Sequence, residues 1–327
     1  MADGISRRNF IKGSALAMGT LALAGVTGGL ESAVAAVRNG SRPKSTVYFT
    51  KDLSPEGIRK LYSMVNQGIS GRTAIKLHTG EPNGPNIIPQ EWVRAFMPAV
   101  TNSTIVECNV LYSSPRQTTA GHRQTLETNG WTFSPVDIMD ADGDVPLPIS
   151  GGKWLKEVAV GQTLTSYDSM LVLTHFKGHT MGGFGGSLKN ISIGCASGRL
   201  GKGQLHREGA NQWAGGPNFM ERMVEGGKAI TDHFGPRITY INVLRKMSVD
   251  CDCAGTRAAA PTAPDIGILA STDILAIDQA SVDLVYALPQ NQKADLVERI
   301  ESRSGLRQLS YMKELGMGSD EYDLVPV

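Results

Sequence analysis

The chain has 327 residues, with 32 Lys and Arg against 31 Asp and Glu, a formal net charge of +1. A balance this close to neutral argues against a broad surface for nucleic acid or anionic lipid, because those partners require clustered positive charge. A local basic pocket remains open, and the 38 glycines suit many turns and a backbone that closes on a ligand.

Residues 1–36 read as an export signal of the twin-arginine type. Arg7 and Arg8 precede Phe10, Ile11 and Lys12; a mild apolar run covers Ala15 to Val26; Ala33, Val34 and Ala35 supply a small-residue cleavage site. The run is shorter than the about 20 apolar residues a membrane-spanning helix needs, and an uncleaved anchor is the alternative. No second apolar stretch is long enough to span a bilayer. The signal implies the twin-arginine translocase as a partner during export. It also implies a periplasmic or extracytoplasmic destination, reached after folding and so compatible with a cofactor inserted in the cytoplasm.

Residues 37–45 form a polar linker, and 46–327 read as one domain. Thr46–Thr50 is strand-like. Ser54 caps a helix with Pro55 at its first position, and Ile58, Leu61, Tyr62 and Val65 recur at helical spacing. Strands follow at 73–77, 104–108, 136–139, 169–173, 238–243 and 266–269. Helices are expected at 90–100, 122–129, 274–288, 292–302 and 306–315, with Asp273 capping the third of these. The Gly-rich stretch 200–236 reads as irregular. Short continuous apolar strands alternating with amphipathic helices predict an α/β fold, a mainly parallel sheet with flanking helices. In such sheets the site lies at the carboxyl ends of the strands, where His78, Asn109, Asp140 and His175 fall.

Several residues there can carry chemistry. Lys76 and His78 lie two apart, on one sheet face. His175 and His179 bracket Phe176, Lys177 and Gly178; a loop histidine pair can bind a metal, although the zinc-protease pattern is absent. The glycine-rich turn with Gly183, Gly185 and Gly186, followed by Ser187, Lys189 and Asn190, can hold an anion on its N–H groups. Cys251 and Cys253 flank Asp252. They are too close in sequence to bridge without strain, and as thiolates they are soft ligands for iron or zinc. A complete four-thiolate site would need Cys108 and Cys195 to converge with them. Residues 140–144 begin like a calcium loop but lack the glutamate that completes one. Asp278 and Asp283 stand out in a mostly apolar helix.

These residues carry a resemblance. Ala74–Glu81, Val106–Asn109, Thr174–His179, Gly185–Asn190, Asp250–Cys253 and Asp265–Ala270 resemble the domain-of-unknown-function 362 family of uncharacterised iron–sulfur-centre proteins, over about residues 46–316. Many members carry a ferredoxin insert where residues 200–250 lie; no cysteine occurs between Cys195 and Cys251, so that module is absent. The resemblance implies a core site among Lys76, His78, His175, Lys177, His179, Lys189, Cys251 and Cys253. The expectation is an exported metal-binding protein, an enzyme for a small anionic substrate. Its metal would sit among His78, Cys108, His175, His179, Cys251 and Cys253, with Lys76, Lys177 and Lys189 at the substrate and Gly183, Gly185, Gly186 and Asn190 cradling a cofactor. The alternatives are a non-catalytic module binding an anionic small molecule, and an electron carrier with one iron–sulfur cluster.

Overall fold

The computed structural model describes residues 44–327. The twin-arginine segment and nearly all of the linker lie outside the described residues. In chain order the strands are β1 (Ser45–Thr50), β2 (Thr73–Lys76), β3 (Ser103–Glu107), β4 (Val136–Ile138), β5 (Asp144–Pro148) and β6 (Glu157–Gly161). They continue with β7 (Ser169–His175), β8 (Lys177–His179), β9 (Gly183–Gly185), β10 (Ile238–Leu244), β11 (Gly267–Ser271) and β12 (Tyr322–Pro326). The helices are α1 (Pro55–Val65), α2 (Gln90–Phe96), α3 (Thr119–Thr128), α4 (Ser187–Cys195), α5 (Leu200–His206), α6 (Gly216–Phe234), α7 (Ile274–Ala287), α8 (Gln290–Ser302) and α9 (Arg307–Glu314).

Eight strands form the central sheet in the order β12-β1-β11-β10-β7-β2-β3-β4. All neighbours run parallel except β11, which is antiparallel to both β1 and β10. The apolar runs divide by strand periodicity between two cores. Met170 and Val172 of β7 enter one core with Ala74, Val106, Tyr240 and Leu269. Leu171 and Leu173 enter the other with Ile75, Ile105, Ile241 and Ile268. The first core includes side chains of α4, α6 and α7, and the second those of α1 and α2. This is the expected α/β architecture with a mainly parallel sheet.

Two helix starts follow the capping rule. Ser54 accepts from the Gly57 N–H, and Asp273 from the Ala276 N–H at 2.9 Å. The stretch 200–236 departs from expectation, since it contains α5 and the 19-residue α6. Phe219, Met220, Met223, Val224, Ile230 and Phe234 recur at helical spacing and are buried. Some of the glycines that suggested irregularity are contact points. A Cβ on Gly226 would meet Leu205 and Ser192 at 2.8 and 2.9 Å, and one on Gly227 would meet Leu188 at 2.5 Å. Small residues let α6 close on α4 and α5, and tertiary packing outweighs weak helix propensity.

The glycine-rich turn leads into the N-terminus of α4, and that terminus does receive an anion from the chain itself. Asp278 on α7 accepts the N–H groups of Ser187 (2.8 Å) and Leu188 (2.9 Å) and the Asn242 amide (2.9 Å). A Cβ on Gly186 would fall 2.4 Å from this carboxylate, so the position must stay bare. Burial pushes the Asp278 pKa up to about 6 against the pull of those three donors. Asp278→Ala strands two helix N-terminal N–H groups and should lower unfolding free energy in urea at pH 8 by about 1–3 kcal/mol; an unchanged midpoint would contradict this role.

Candidate functional site

The carboxyl ends of β2, β3, β7 and β10 meet at one edge, and the loop after β10 folds over them. Its Asp252 is held from two sides. His175 at the end of β7 places Nδ1 3.0 Å from both carboxylate oxygens, and Lys177 on β8 places Nζ at 2.9 Å. His175 Nε2 faces the Arg245 carbonyl at 2.7 Å and Lys177 also donates to the His175 carbonyl. Both ring nitrogens of His175 therefore face acceptors within the protein. His175, expected as a metal ligand, and Lys177, expected at the substrate, both line the cavity and both hold Asp252. Gly178 lets β8 approach the loop, since its N–H donates to the Ser248 carbonyl at 2.8 Å and a Cβ would lie 2.4 Å from the Val249 carbonyl.

With Asp252 clamped, its neighbours Cys251 and Cys253 line a cavity of about 370 Å³. One ligand atom each from His179, Cys251 and Cys253 lies within 4.8 Å of the others, a group that can hold a metal ion. A hydrogen bond from Cys253, then Lys189 and His179, hold the Cys251 thiol well below its ordinary pKa despite burial; the same bond and burial raise Cys253. His179 Nδ1 accepts the backbone N–H groups of Met181 (3.1 Å) and Gly182 (2.8 Å), which puts the neutral ring's proton on Nε2. Burial and Lys189 lower its pKa to about 4.

Beside the thiols lies a buried ion network centred on Glu107. Its carboxylate binds Lys76 (3.0 Å), Arg116 (2.8 Å) and the N–H and hydroxyl of Thr79 (2.9 and 3.0 Å). Burial would raise its pKa, but Lys76 and Arg116 outweigh burial and hold it well below the carboxylate range. Arg116 also reaches Glu81 at 3.2 Å. Lys76 lines the cavity with its amine committed to Glu107, the Leu77 carbonyl (2.7 Å) and Asn190 (3.0 Å). His78 Nδ1 lies 3.3 Å from Glu107; burial and Arg116 press its pKa down, while hydrogen bonds to Cys251 and Glu107 leave it raised.

The remaining expected residues divide. Lys189 on α4 lines the cavity and has no hydrogen-bond or ion-pair partner among the described residues. Gly185 and Gly186 line it too, whereas Gly183, at φ +75°, is packed against Gly305. Asn190 spends its amide on the Lys76 and Leu173 carbonyls and the Thr174 hydroxyl, tying α4 to the sheet. Cys108 reaches the cavity wall, but its thiol donates to the Cys195 carbonyl at 3.4 Å, and burial raises both thiols' pKa values. Neither belongs to the gathered metal-ligand group, so the four cysteines do not converge.

His206, Lys202 and Trp213 are among the wall residues that lay outside the expected site. His206 donates Nδ1–H to the Lys202 carbonyl at 2.8 Å, leaving Nε2 as an acceptor, and burial lowers its pKa to about 4. The Lys202 amine bonds the Ala196 carbonyl at 2.7 Å, and burial lowers its pKa. Trp213 packs edge-on against His206 with centroids 5.2 Å apart. They hid in the stretch read as irregular; the helical spacing of Lys202 and His206 was the available signal.

Fold and site define a mixed α/β protein with a Cys-x-Cys pair facing a cavity at the carboxyl edge of its sheet. The chain belongs to the family described as a domain of unknown function (DUF362), whose profile matches residues 73–283. No curated protein matches the chain. Solved structures similar to it include two at low sequence identity. One is the lactate racemase apoprotein from Thermoanaerobacterium thermosaccharolyticum, at 10% identity, a TM-score of 0.42, and coverage of 73% of this chain and 56% of that one. The other is a protein from Thermotoga maritima, at 12% identity, a TM-score of 0.45, and coverage of 72% and 60%. The chain thus spans less than two thirds of the length of either.

Replacing Glu107 tests the ion network. Glu107→Gln leaves Lys76 and Arg116 buried against a neutral amide and should cost about 3–5 kcal/mol near neutral pH. Because the folded pKa is depressed, the native contribution is complete above the ordinary value of 4.5 and is lost as pH falls through the lower folded value. The gap between variant and parent should therefore narrow in acid; a constant gap in urea melts from pH 7 to pH 3 would refute this assignment.

Proposed function

We propose that the protein is an exported metal-dependent enzyme in which Cys251, Cys253 and His179 hold a zinc or ferrous ion, and Lys189 draws a small anionic substrate to it. The observation that carries this reading is the gathering of one nitrogen and two sulfur ligand atoms within 4.8 Å at a cavity wall. Thiolate and imidazole ligands suit zinc and iron. Three protein ligands leave a coordination position open, the arrangement of catalytic sites rather than closed structural ones, and an ion there supplies Lewis acidity. Two peptide N–H groups steady the His179 ring at Nδ1, and the proton they leave on Nε2 would have to be released to solvent for that nitrogen to ligate an ion. The export half of the proposal rests on Arg7, Arg8 and the segment that follows them.

That same proton favours a second reading. An N–H donor aimed at Cys251, with Lys189 nearby, also suits a metal-free thiolate acting as a nucleophile. Elemental analysis of protein purified without chelators separates the two. The metal reading expects about one zinc or iron per chain, and a loss of about tenfold or more in Cys251→Ser and His179→Gln. Metal-free protein, alkylated by iodoacetamide at Cys251 at pH 7 faster than an unperturbed thiol, would replace that reading with the second.

A further inference from the structure

We propose that the cavity's ligand is an amphipathic monoanion: one acidic group on a compact apolar body such as a single aromatic ring or a short acyl chain. This deepens the metal reading and rests on it, since a dication on two thiolates would be locally neutral and would leave Lys189 as the wall cation with neither a carboxylate nor a carbonyl partner among the described residues.

The cations around the cavity are otherwise committed. Lys76 and Arg116 are neutralised by Glu107 and Glu81, and Lys177 by Asp252. Lys202 gives its amine to a backbone carbonyl. Lys189 remains, so the site offers one ammonium as a strong counter-charge and selects for a single negative group over a multiply charged one. Beyond it the wall turns apolar. Val110, Leu111, Met181, Ile193 and Trp213 line the same space. Trp213 is 43% exposed although one edge packs on His206, whose ring in turn lies 5.0 Å from Phe219. His206, with Nδ1 committed and its pKa near 4, adds no charge to this wall. Inorganic phosphate would satisfy Lys189 and leave this surface wet; an apolar body would cover it, which is where most of the binding free energy of small organic ligands arises. The volume of about 370 Å³ lies at the lower end of the range of about 300–1,000 Å³ in which such ligands bind.

The test is calorimetric titration of the metal-loaded protein, its metal content measured beforehand, with 3-phenylpropionate, octanoate, 3-phenylpropan-1-ol, acetate and inorganic phosphate. At least one of the two amphipathic acids should bind about 30-fold more tightly than acetate, phosphate and the alcohol. Lys189→Met should bring the acid down to the affinity of the alcohol and leave the alcohol unchanged. Trp213→Ala should weaken acid and alcohol together. Both side chains reach solvent, and circular dichroism confirms that the variants fold. Phosphate binding as tightly as either acid, indifference to Lys189→Met, or no binding of either acid overturns the proposal. If the metal is present in any of these cases, the metal reading still stands; a protein without metal defeats that reading on its own measurement.

Discussion

The carboxylate of Asp252 between His175 and Lys177 is the contact on which the site depends. Asp252 is 4% exposed, and a charge removed from water to that degree requires partners with good geometry. It finds them on two consecutive strands, β7 and β8, whose placement comes from the sheet. The loop after β10 is thereby bound to the carboxyl end of β7, with Cys251 and Cys253 at the cavity wall. The clamp stabilises little by itself, because desolvation offsets much of the Coulomb attraction; what it supplies is orientation.

Charge accounting at this edge decides what is left for chemistry. Glu107 and Asp252 are buried anions, and together with Glu81 they occupy Lys76, Arg116 and Lys177. Residues rich in positive charge in the sequence thus form closed ionic centres in the structure. Lys189 has no carboxylate partner among the described residues and stays available. Cys251 and Cys253 sit within the field of that ammonium, which helps hold the Cys251 thiol below its ordinary pKa, and low dielectric strengthens each interaction.

The glycines show how one residue type serves distinct ends. Gly186 admits the Asp278 carboxylate to the start of α4, so an anion-binding helix terminus becomes an internal joint between α4 and α7. Gly226 and Gly227 bring α6 onto its neighbours. Gly178 brings β8 against the loop that carries Cys251. Each closes a gap of a few tenths of an ångström to an ångström or so, distances at which a methyl group would force backbone to move.

Strand and helix placement was legible because apolar periodicity and caps such as Ser54 and Asp273 are local properties, set by residues a few positions apart. So were the class of fold, the carboxyl edge as the place of the site, and the donor chemistry of Cys251, Cys253 and His179. The sequence could not assign partners. His175 and His179 look alike four residues apart, yet one faces two acceptors and the other two peptide donors. Lys76, Lys177 and Lys189 are equal as letters, and only the third lacks a carboxylate. Cys108 and Cys195 carry the same thiol as the site pair and point elsewhere. Such distinctions depend on atoms brought together from β2, β3, β7, β8, α4 and the loop after β10, across sequence separations of up to 114 residues. Sequence determined which chemical groups stand near the sheet's edge; tertiary structure decided which of them remain unsatisfied, because hydrogen-bond and charge pairing is settled by proximity in space.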